Sequence, residues 1–124
     1  MLRWPDPKKV LIDFLAELLP PEVHVGSQVP VDRPDRFVRV LVTGGAGVDQ
    51  RIFVDVQFTV EVWGQSEGET SDMAWEIFSA VKHSGMWGDT PVYNPRFLGI
   101  PVIDPDNSKQ SRFSFTFRVL FRPL

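Results

Sequence analysis

The sequence predicts a single α+β domain in which a mostly antiparallel sheet with a long β-hairpin packs against two helices. Three observations support this fold class: an opening segment with apolar residues at helical spacing, a second such segment in the middle of the chain, and several runs in which apolar and polar residues alternate. At 124 residues the chain has the length of one domain, so we expect residues 1–124 to share one core.

The first predicted element is an amphipathic helix over residues 7–19. Asp6 followed by Pro7 makes a good N-cap and first-turn pair, and apolar residues then recur at helical spacing. The proline pair at positions 20–21 ends the helix, because proline has no amide hydrogen and disfavours helical geometry in the residue before it.

The next segment predicts the hairpin. A short strand over residues 22–26 and an extended loop over residues 29–36 lead into it. Its two strands are residues 37–42 and residues 51–63, joined by a glycine-rich turn over residues 43–50. In the second strand one face is wholly apolar, and consists of Ile52, Val54, Val56, Phe58, Val60 and Val62.

A second helix is predicted from about Thr70 to Ser84, stopping at Gly85. Ser66 and Glu69 have the spacing of a capping box, which allows an earlier start.

The remaining residues predict two further strands. Residues 86–111 contain four prolines and are predicted as loop around a short strand over residues 97–102, placed at a sheet edge because Pro101 cannot donate a ladder hydrogen bond. Residues 112–121 alternate strictly and predict a final strand packed against a helix. Its inward residues are Phe113, Phe115, Phe117, Val119 and Phe121.

Composition excludes several classes of function. The chain has no cysteine, which rules out disulfide scaffolds, thiol catalysis and cysteine-ligated zinc. Its net charge of −3 lacks the basic footprint of non-specific nucleic-acid binding. The opening residues lack the apolar core of a signal peptide and no long apolar run follows, so we expect neither export nor membrane insertion.

Residues 64–68 match the G-x-S-x-G nucleophile elbow between a strand and a helix. Such a hydrolase needs a histidine after the serine, and His83 is the only one. His83 lies about 20 Å along the helix axis from the first turn, too far to activate Ser66 within one chain. We therefore interpret Ser66 as a helix cap and predict no catalytic residue; a small serine hydrolase based on Ser66 stays an alternative.

Other motifs also have structural interpretations. Residues 44–47 lack the Lys-Ser or Lys-Thr of a phosphate-binding loop and are predicted as a turn whose glycines permit positive φ. Residues 104–108 start like a calcium loop, but Lys109 replaces the required glycine, so we predict an Asx turn. His24 and His83 are isolated, and no metal site or cofactor is predicted.

The charged and aromatic residues favour protein docking. Arg33, Arg36 and Arg39 are interleaved with Asp32 and Asp35, which predicts an ion-paired loop surface. Six aromatic residues exceed what the predicted core faces absorb, and we expect some to fill a second layer and others to form an apolar docking patch. These six are Trp4, Phe37, Phe53, Trp63, Trp75 and Trp87.

The order of elements resembles the tail-terminator proteins of long-tailed, non-contractile phages, over nearly the whole chain. The resemblance rests on the two helices and on three strings: residues 39–47 (RVLVTGGAG), residues 60–64 (VEVWG) and residues 115–119 (FTFRV). The hairpin turn departs from the family in carrying only Arg51 with Asp49, where relatives have more basic residues, which argues against a DNA contact from this loop.

The resemblance implies a structural virion protein with no catalytic centre. Six copies form a ring on the head-proximal end of the tail tube, stop its growth and receive the neck proteins of the filled head, while DNA passes through the hole. It implies the tube and neck proteins as partners, assembly in the host cytoplasm and location in the virion. A neck stopper protein has an overlapping signature and remains an alternative.

Ring closure requires two different, complementary patches on each copy. The projecting turn is our main prediction for intersubunit contact, with Phe53, Trp63 and Pro101 as further contacts and the proline-bearing edge strand as a second docking surface. The turn residues are Gly44, Gly45, Ala46, Gly47, Val48, Asp49 and Gln50.

Overall fold

In the computed structural model, which describes residues 4–46 and 53–122, two helices and seven strands form the predicted α+β fold. In chain order they are α1 (Pro7–Leu18), β1 (His24–Gly26), β2 (Phe37–Ala46), β3 (Val54–Gly64), α2 (Glu67–His83), β4 (Met86–Trp87), β5 (Thr90–Phe97), β6 (Val102–Ile103) and β7 (Ser111–Phe121).

The strands of the described residues form one sheet in the order β1-β2-β3-β7-β5-β4, with β6 paired to β7. Only β1 and β2 run parallel, and the other pairs are antiparallel. Helix α1 contacts β1 and β2 at one end of this order and β4 at the other. The sheet is therefore curled, and α1 lies across the gap between its two outer strands.

Helix α1 begins and ends as its sequence predicts. Asp6 is the N-cap, and its Oδ1 accepts hydrogen bonds from the backbone N–H groups of Lys8 at 3.1 Å and Lys9 at 3.4 Å. The helix ends at Leu18, directly before the capping residue Leu19 and the proline pair.

Strand β2 is longer than predicted, because it continues through the residues that the sequence assigned to a turn. Thr43 is bulged between Val42 and Gly44, after which Gly44, Gly45 and Ala46 pair with β3. The prediction of a turn from residue 43 is wrong for residues 43–46. The rest of that turn, Gly47 to Gln50, and the predicted strand residues Arg51 and Ile52 lie outside the described residues.

Helix α2 begins at Glu67, so the earlier of the two predicted starts is correct. Ser66 is the N-cap, and its Oγ accepts a hydrogen bond from the backbone N–H of Glu69 at 3.2 Å. Buried Thr70 adds a bond from its hydroxyl to the Ser66 carbonyl oxygen at 2.6 Å. The helix ends at His83.

The prediction for residues 86–111 is wrong in detail, since no strand spans residues 97–102. Instead β4, β5 and β6 lie there, and β5 and β6 run along the same side of β7. Residues 99–101 bulge out between the Leu98 N–H, which donates to the Thr116 carbonyl at 3.0 Å, and the pairing of β6 with β7. Strand β5 was not predicted because it contains prolines. Pro95 is tolerated there because it lies where the pairing with β7 is irregular, so no ladder hydrogen bond is lost.

The core lies between the sheet and the two helices, as the inward residues of β3 and β7 predicted. All five inward residues of β7 are buried, and four of them are phenylalanines. Trp87 is part of an aromatic cluster in the core: it is 1% exposed and lies among four phenylalanine rings. These are Phe14, Phe58, Phe117 and Phe121, with centroids 5.5–6.2 Å from that of Trp87.

Neither α1 nor α2, the helices of the described residues, has the length and apolar character that a membrane span requires.

We predict that Phe117→Ala lowers the free energy of unfolding by about 3–5 kcal/mol, because it removes a fully buried ring and leaves a cavity. Chemical denaturation measures this change. Ser114→Ala, on the opposite face of the same strand and half-buried, is the control and changes stability by less than about 1 kcal/mol. An equal loss in the two variants would contradict the assignment of faces in β7.

Candidate functional site

The predicted contact turn lies only partly within the described residues. Thr43, Gly44 and Gly45 form the exposed far end of β2, and Ala46 is its last residue. This end of the hairpin projects beyond β1, which pairs with β2 only as far as Arg39. The structure thus places an exposed, glycine-containing strand end where the sequence predicted a projecting turn.

The glycines of this strand end do not adopt a positive φ, because Gly88 is the one glycine of the described residues that does. Gly45 is required by close approach instead: a Cβ there would lie 2.6 Å from the Asp55 carbonyl oxygen of β3. At Gly44 the nearest atom would be 3.8 Å away. The expectation of a flexible glycine turn is therefore corrected at these two positions.

Two of the three further contact candidates are buried. Trp63 is 1% exposed, Pro101 is also buried, and Phe53 is half-buried with its ring edge-on to Tyr93 at 5.4 Å between centroids. Phe53 keeps part of its surface free, whereas Trp63 and Pro101 have almost none to offer a neighbour.

The surplus aromatic residues divide between a second buried layer and the surface. Trp87 belongs to the main core, while Phe37 and Trp63 stack at 4.5 Å on the sheet face opposite the helices, which is the second layer that the sequence predicted. Trp4 is 44% exposed and Trp75 is 40% exposed. The apolar surface that these six residues contribute is thus smaller than their number suggests.

Arginines cover the second layer. The guanidinium groups of Arg39 and Arg112 lie 5.7 Å and 5.5 Å from the Trp63 ring centroid, and that of Arg33 lies 5.8 Å from the Phe37 centroid. Their planar groups cover the rings while keeping one edge for carboxylate partners.

Asp106 ties the loop between β6 and β7 to this layer. One of its oxygens accepts hydrogen bonds from Trp63 Nε1 at 2.8 Å, Arg33 Nη1 at 3.0 Å and Ser108 Oγ at 2.8 Å. The bond from Trp63, followed by those from Arg33 and Ser108, holds the pKa of this carboxyl well below its usual range despite its partial burial.

The sequence predicted an Asx turn over residues 104–108, but the bond seen at Asp106 comes from the N–H of the next residue, Asn107, at 2.9 Å, and not from two residues on as an Asx turn requires. A turn of the related type is closed by Ser108, whose Oγ accepts from the Gln110 N–H at 3.2 Å. The distant partners of Asp106 were not predicted.

The three arginines of the basic segment are ion-paired, but not with the neighbouring aspartates that the sequence suggested. Arg39 Nε donates to Glu61 of β3 at 2.6 Å. The other two reach distant carboxylates: Arg33 contacts Asp106 at 3.0 Å, and Arg36 contacts Glu22 at 2.7 Å. Folding, and not sequence adjacency, selects the partners.

A second ion cluster lies on the same sheet face, towards the far end of the hairpin. Asp55 receives Arg96 at 2.7 Å and Arg118 at 3.3 Å. The Arg118 Nε is buried without a hydrogen-bond partner among the described residues. The carboxylate thus joins β3, β5 and β7 across the sheet.

The segment from Leu98 to Ile103 presents the largest run of exposed apolar side chains in the described residues. Leu98 is 61% exposed and Ile100 56%, and in β6 the values are 51% for Val102 and 54% for Ile103. The sequence placed a docking edge here because Pro101 cannot donate a ladder hydrogen bond. The structure adds that Val102 and Ile103 of this segment pair with β7 on one side.

The G-x-S-x-G motif performs a structural task at the junction of β3 and α2. A Cβ at Gly64 would lie 2.5 Å from Thr70 Oγ1, so glycine is needed for this close packing. Ser66 caps α2, whereas His83 is at the opposite end of the 17-residue helix. Within the part of the chain that the structure describes, no group of three or more His, Cys, Asp or Glu residues has the arrangement of a metal site.

Comparisons with known proteins bear on the fold. No model of a known protein family matches the chain, and no curated protein matches it either. Among solved structures, the fold is similar to that of a chain in the virion of a native gene transfer agent particle. The likeness has a TM-score of 0.53 and 17% sequence identity, and covers 87% of this chain and 84% of that chain.

We predict that acidification destabilises the protein through Asp106. The folded-state pKa of this carboxyl lies below the unfolded value of about 3.9, so its contribution is present above that pH and is lost as the pH falls below it. In Asp106→Asn, unfolding free energies measured between pH 7 and pH 2.5 should depend less on pH. Asp32→Asn, exposed in the neighbouring loop, should keep the wild-type slope, and a wild-type slope in Asp106→Asn would refute the assignment.

We also predict that Gly45→Ala lowers the free energy of unfolding by about 1–3 kcal/mol, because the new Cβ meets the Asp55 backbone. Gly68→Ala is the matched control: nothing lies within 4 Å of its Cβ, and it sits in the first turn of α2. Its stability should stay unchanged or rise by up to about 1 kcal/mol. Denaturation curves that show no difference between the variants would contradict the close approach.

Proposed function

We propose that this chain is a structural virion protein, and more specifically a tail terminator. Six copies close into a ring on the head-proximal end of the tail tube, stop tube growth and present the surface that joins the filled head. The observation that carries the proposal is the likeness of fold, over 87% of the chain, to a chain of a gene transfer agent virion. The protein then resides in the virion after assembly in the host cytoplasm.

The placement of the family-like strings supports the proposal. Residues 39–46, 60–64 and 115–119 lie on β2, β3 and β7, which are neighbours in the centre of the sheet. Strings that are far apart in the chain thus belong to one contiguous part of the fold. Strings that matched by chance would not be expected to lie on three adjacent strands.

The surface chemistry also suits an assembly protein. The exposed features include strand ends and apolar side chains of the kind that bind other proteins, whereas Arg39, Arg96 and Arg118 on the sheet are already paired with carboxylates. Paired arginines have less attraction for phosphate, which suits a ring through which DNA only passes. The function requires no cofactor and no catalytic residue.

The contacts between copies are part of the proposal. We assign them to the hairpin end, residues 44–50, and to Phe53, whose ring is half-buried. Trp63 and Pro101 are buried and contribute little surface of their own. Trp63 holds the loop that contains Asp106, and Pro101 lies within the exposed apolar segment. The tube protein and the neck proteins are the expected partners.

The test is disruption of the gene in the phage-like element that encodes the chain, followed by electron microscopy of the particles produced. We expect tails of uncontrolled length without attached heads, because nothing stops polymerisation of the tube. Finished tails beside leaking heads would instead identify a stopper, and normal particles would refute a role in the virion.

Complementation with Ser66→Ala is the matched control. The Ser66 hydroxyl only caps α2, so its loss costs about 1 kcal/mol and leaves tail length normal. Failure of this variant to complement, together with ester hydrolysis by the wild-type protein that the variant lacks, would favour the hydrolase and contradict the structural role.

A further inference from the structure

The exposed apolar segment, residues 98–103, ends in β6, which is an uncovered edge of the sheet. β6 pairs with β7 on its inner side, and no other strand of the described residues pairs with its outer side. The outer strands β1 and β4 differ from it, because both contact α1. An open edge with four exposed apolar side chains invites another strand, and proteins usually protect such edges with charges or a covering element.

A second open edge lies on β2. The last pair between β1 and β2 is Gly26 with Arg39, and beyond it the outer side of β2 has no strand partner in the described residues. A groove of about 430 Å³ runs beside this edge. Its lining consists of Asp6, Lys8, Ser27, Gln28, Val40, Leu41 and Val42.

The two edges lie apart in the strand order of the sheet. β2 and β6 are separated in the sheet by β3 and β7, a distance of about 14 Å at a strand spacing of about 4.8 Å. One chain therefore cannot bring its own two edges together. When the edge of one copy contacts the groove of the next, one terminal copy keeps a free groove and the other keeps a free edge. Such a heterologous contact forms a closed ring when the rotation between copies closes.

We propose that residues 98–103 of one copy lie in the β2 groove of the next copy and extend its sheet. This rests on the proposed function in that it adds, to the contact assigned to the hairpin end, a second contact between copies of the ring. The partner is a second copy because each chain carries both halves: an apolar strand edge, and an open strand edge beside a groove.

The chemistry of the two halves is complementary. The segment from Leu98 to Ile103 contains no charge, so its docking buries none. Apolar side chains meet Val42, which is 48% exposed beside the groove. Lys8 places a positive charge at the groove, and Asp104, which follows the docked segment, brings a carboxylate that stays 37% exposed beside Arg112.

The size of the surfaces sets how assembly should depend on concentration. An apolar patch of this kind covers a few hundred Å², less than the roughly 800 Å² that each partner contributes to a standard interface. A single contact is accordingly weak. In a closed ring every copy makes two contacts, so assembly should be cooperative and favour the closed ring over short intermediates.

Cysteine cross-linking tests the contact directly, because the chain has no cysteine of its own. In the double variant Val42→Cys with Val102→Cys, oxidation should produce a ladder of covalent multimers that ends at the closed ring. A bond within one chain is excluded, since a disulfide requires Cα atoms within about 7 Å. Val31→Cys with Val102→Cys is the matched control: Val31 is fully exposed but outside the groove, and no ladder is expected.

A second variant tests the same contact without oxidation. Ile103→Glu introduces a charge at an exposed position, so the monomer keeps its circular dichroism spectrum while the assembled fraction in native mass spectrometry falls about ten-fold or more. Val31→Glu should assemble like wild type. Equal ladders in both cysteine pairs, normal assembly of Ile103→Glu, or a wild-type chain that stays monomeric at every concentration would each overturn the inference.

The two proposals fail separately. Uncontrolled tails in the gene disruption without a ladder would leave the terminator role intact and remove this contact. A ladder with normal tails in the disruption would keep the contact and remove the role.

Discussion

β7 lies between β3 and the run of chain that contains β5 and β6, so this strand of 11 residues joins both halves of the molecule. Every residue of β3 from Val54 to Gly64 has a partner in β7. Pairing on both sides also sets which residues face the helices, because a shift by one residue would turn four phenylalanines out of the core. The positions of the helices, the second layer of Phe37 and Trp63, and the open edges all depend on this register.

The sheet is covered differently along its length. At one end Phe37 and Trp63 form a second layer, and Asp106 holds a loop over it, so both faces are buried. Towards the hairpin end the same face is partly covered by the ion pairs of Asp55 with Arg96 and Arg118, and the strands project past β1. The result is one end that is covered on both faces and one end where the outer side of β2 has no strand partner among the described residues.

Charge and apolar surface have separate tasks in this arrangement. The arginines on the sheet are engaged by carboxylates of other strands, as in the contacts of Arg96 and Arg118 with Asp55. They stabilise the fold and have limited capacity left for partners. What remains for recognition is an uncharged edge and a groove beside backbone, a combination that selects partners by shape and strand pairing more than by long-range electrostatics.

The sequence by itself determined the elements whose signals are local: the cap at Asp6, the alternation in β3 and β7, and the two helices follow from neighbouring residues. Tertiary structure decided what depends on distant partners. The alternation of apolar and polar residues does not predict that β2 continues through its glycines. The reason for Gly45 is the close approach of the Asp55 backbone, which belongs to another strand. Nor does it reveal that Pro95 falls at an irregularity of pairing, or that Arg33 finds Asp106. A strand edge is open or covered only when the rest of the chain has folded around it, so the interaction surfaces were the part that sequence patterns determined least.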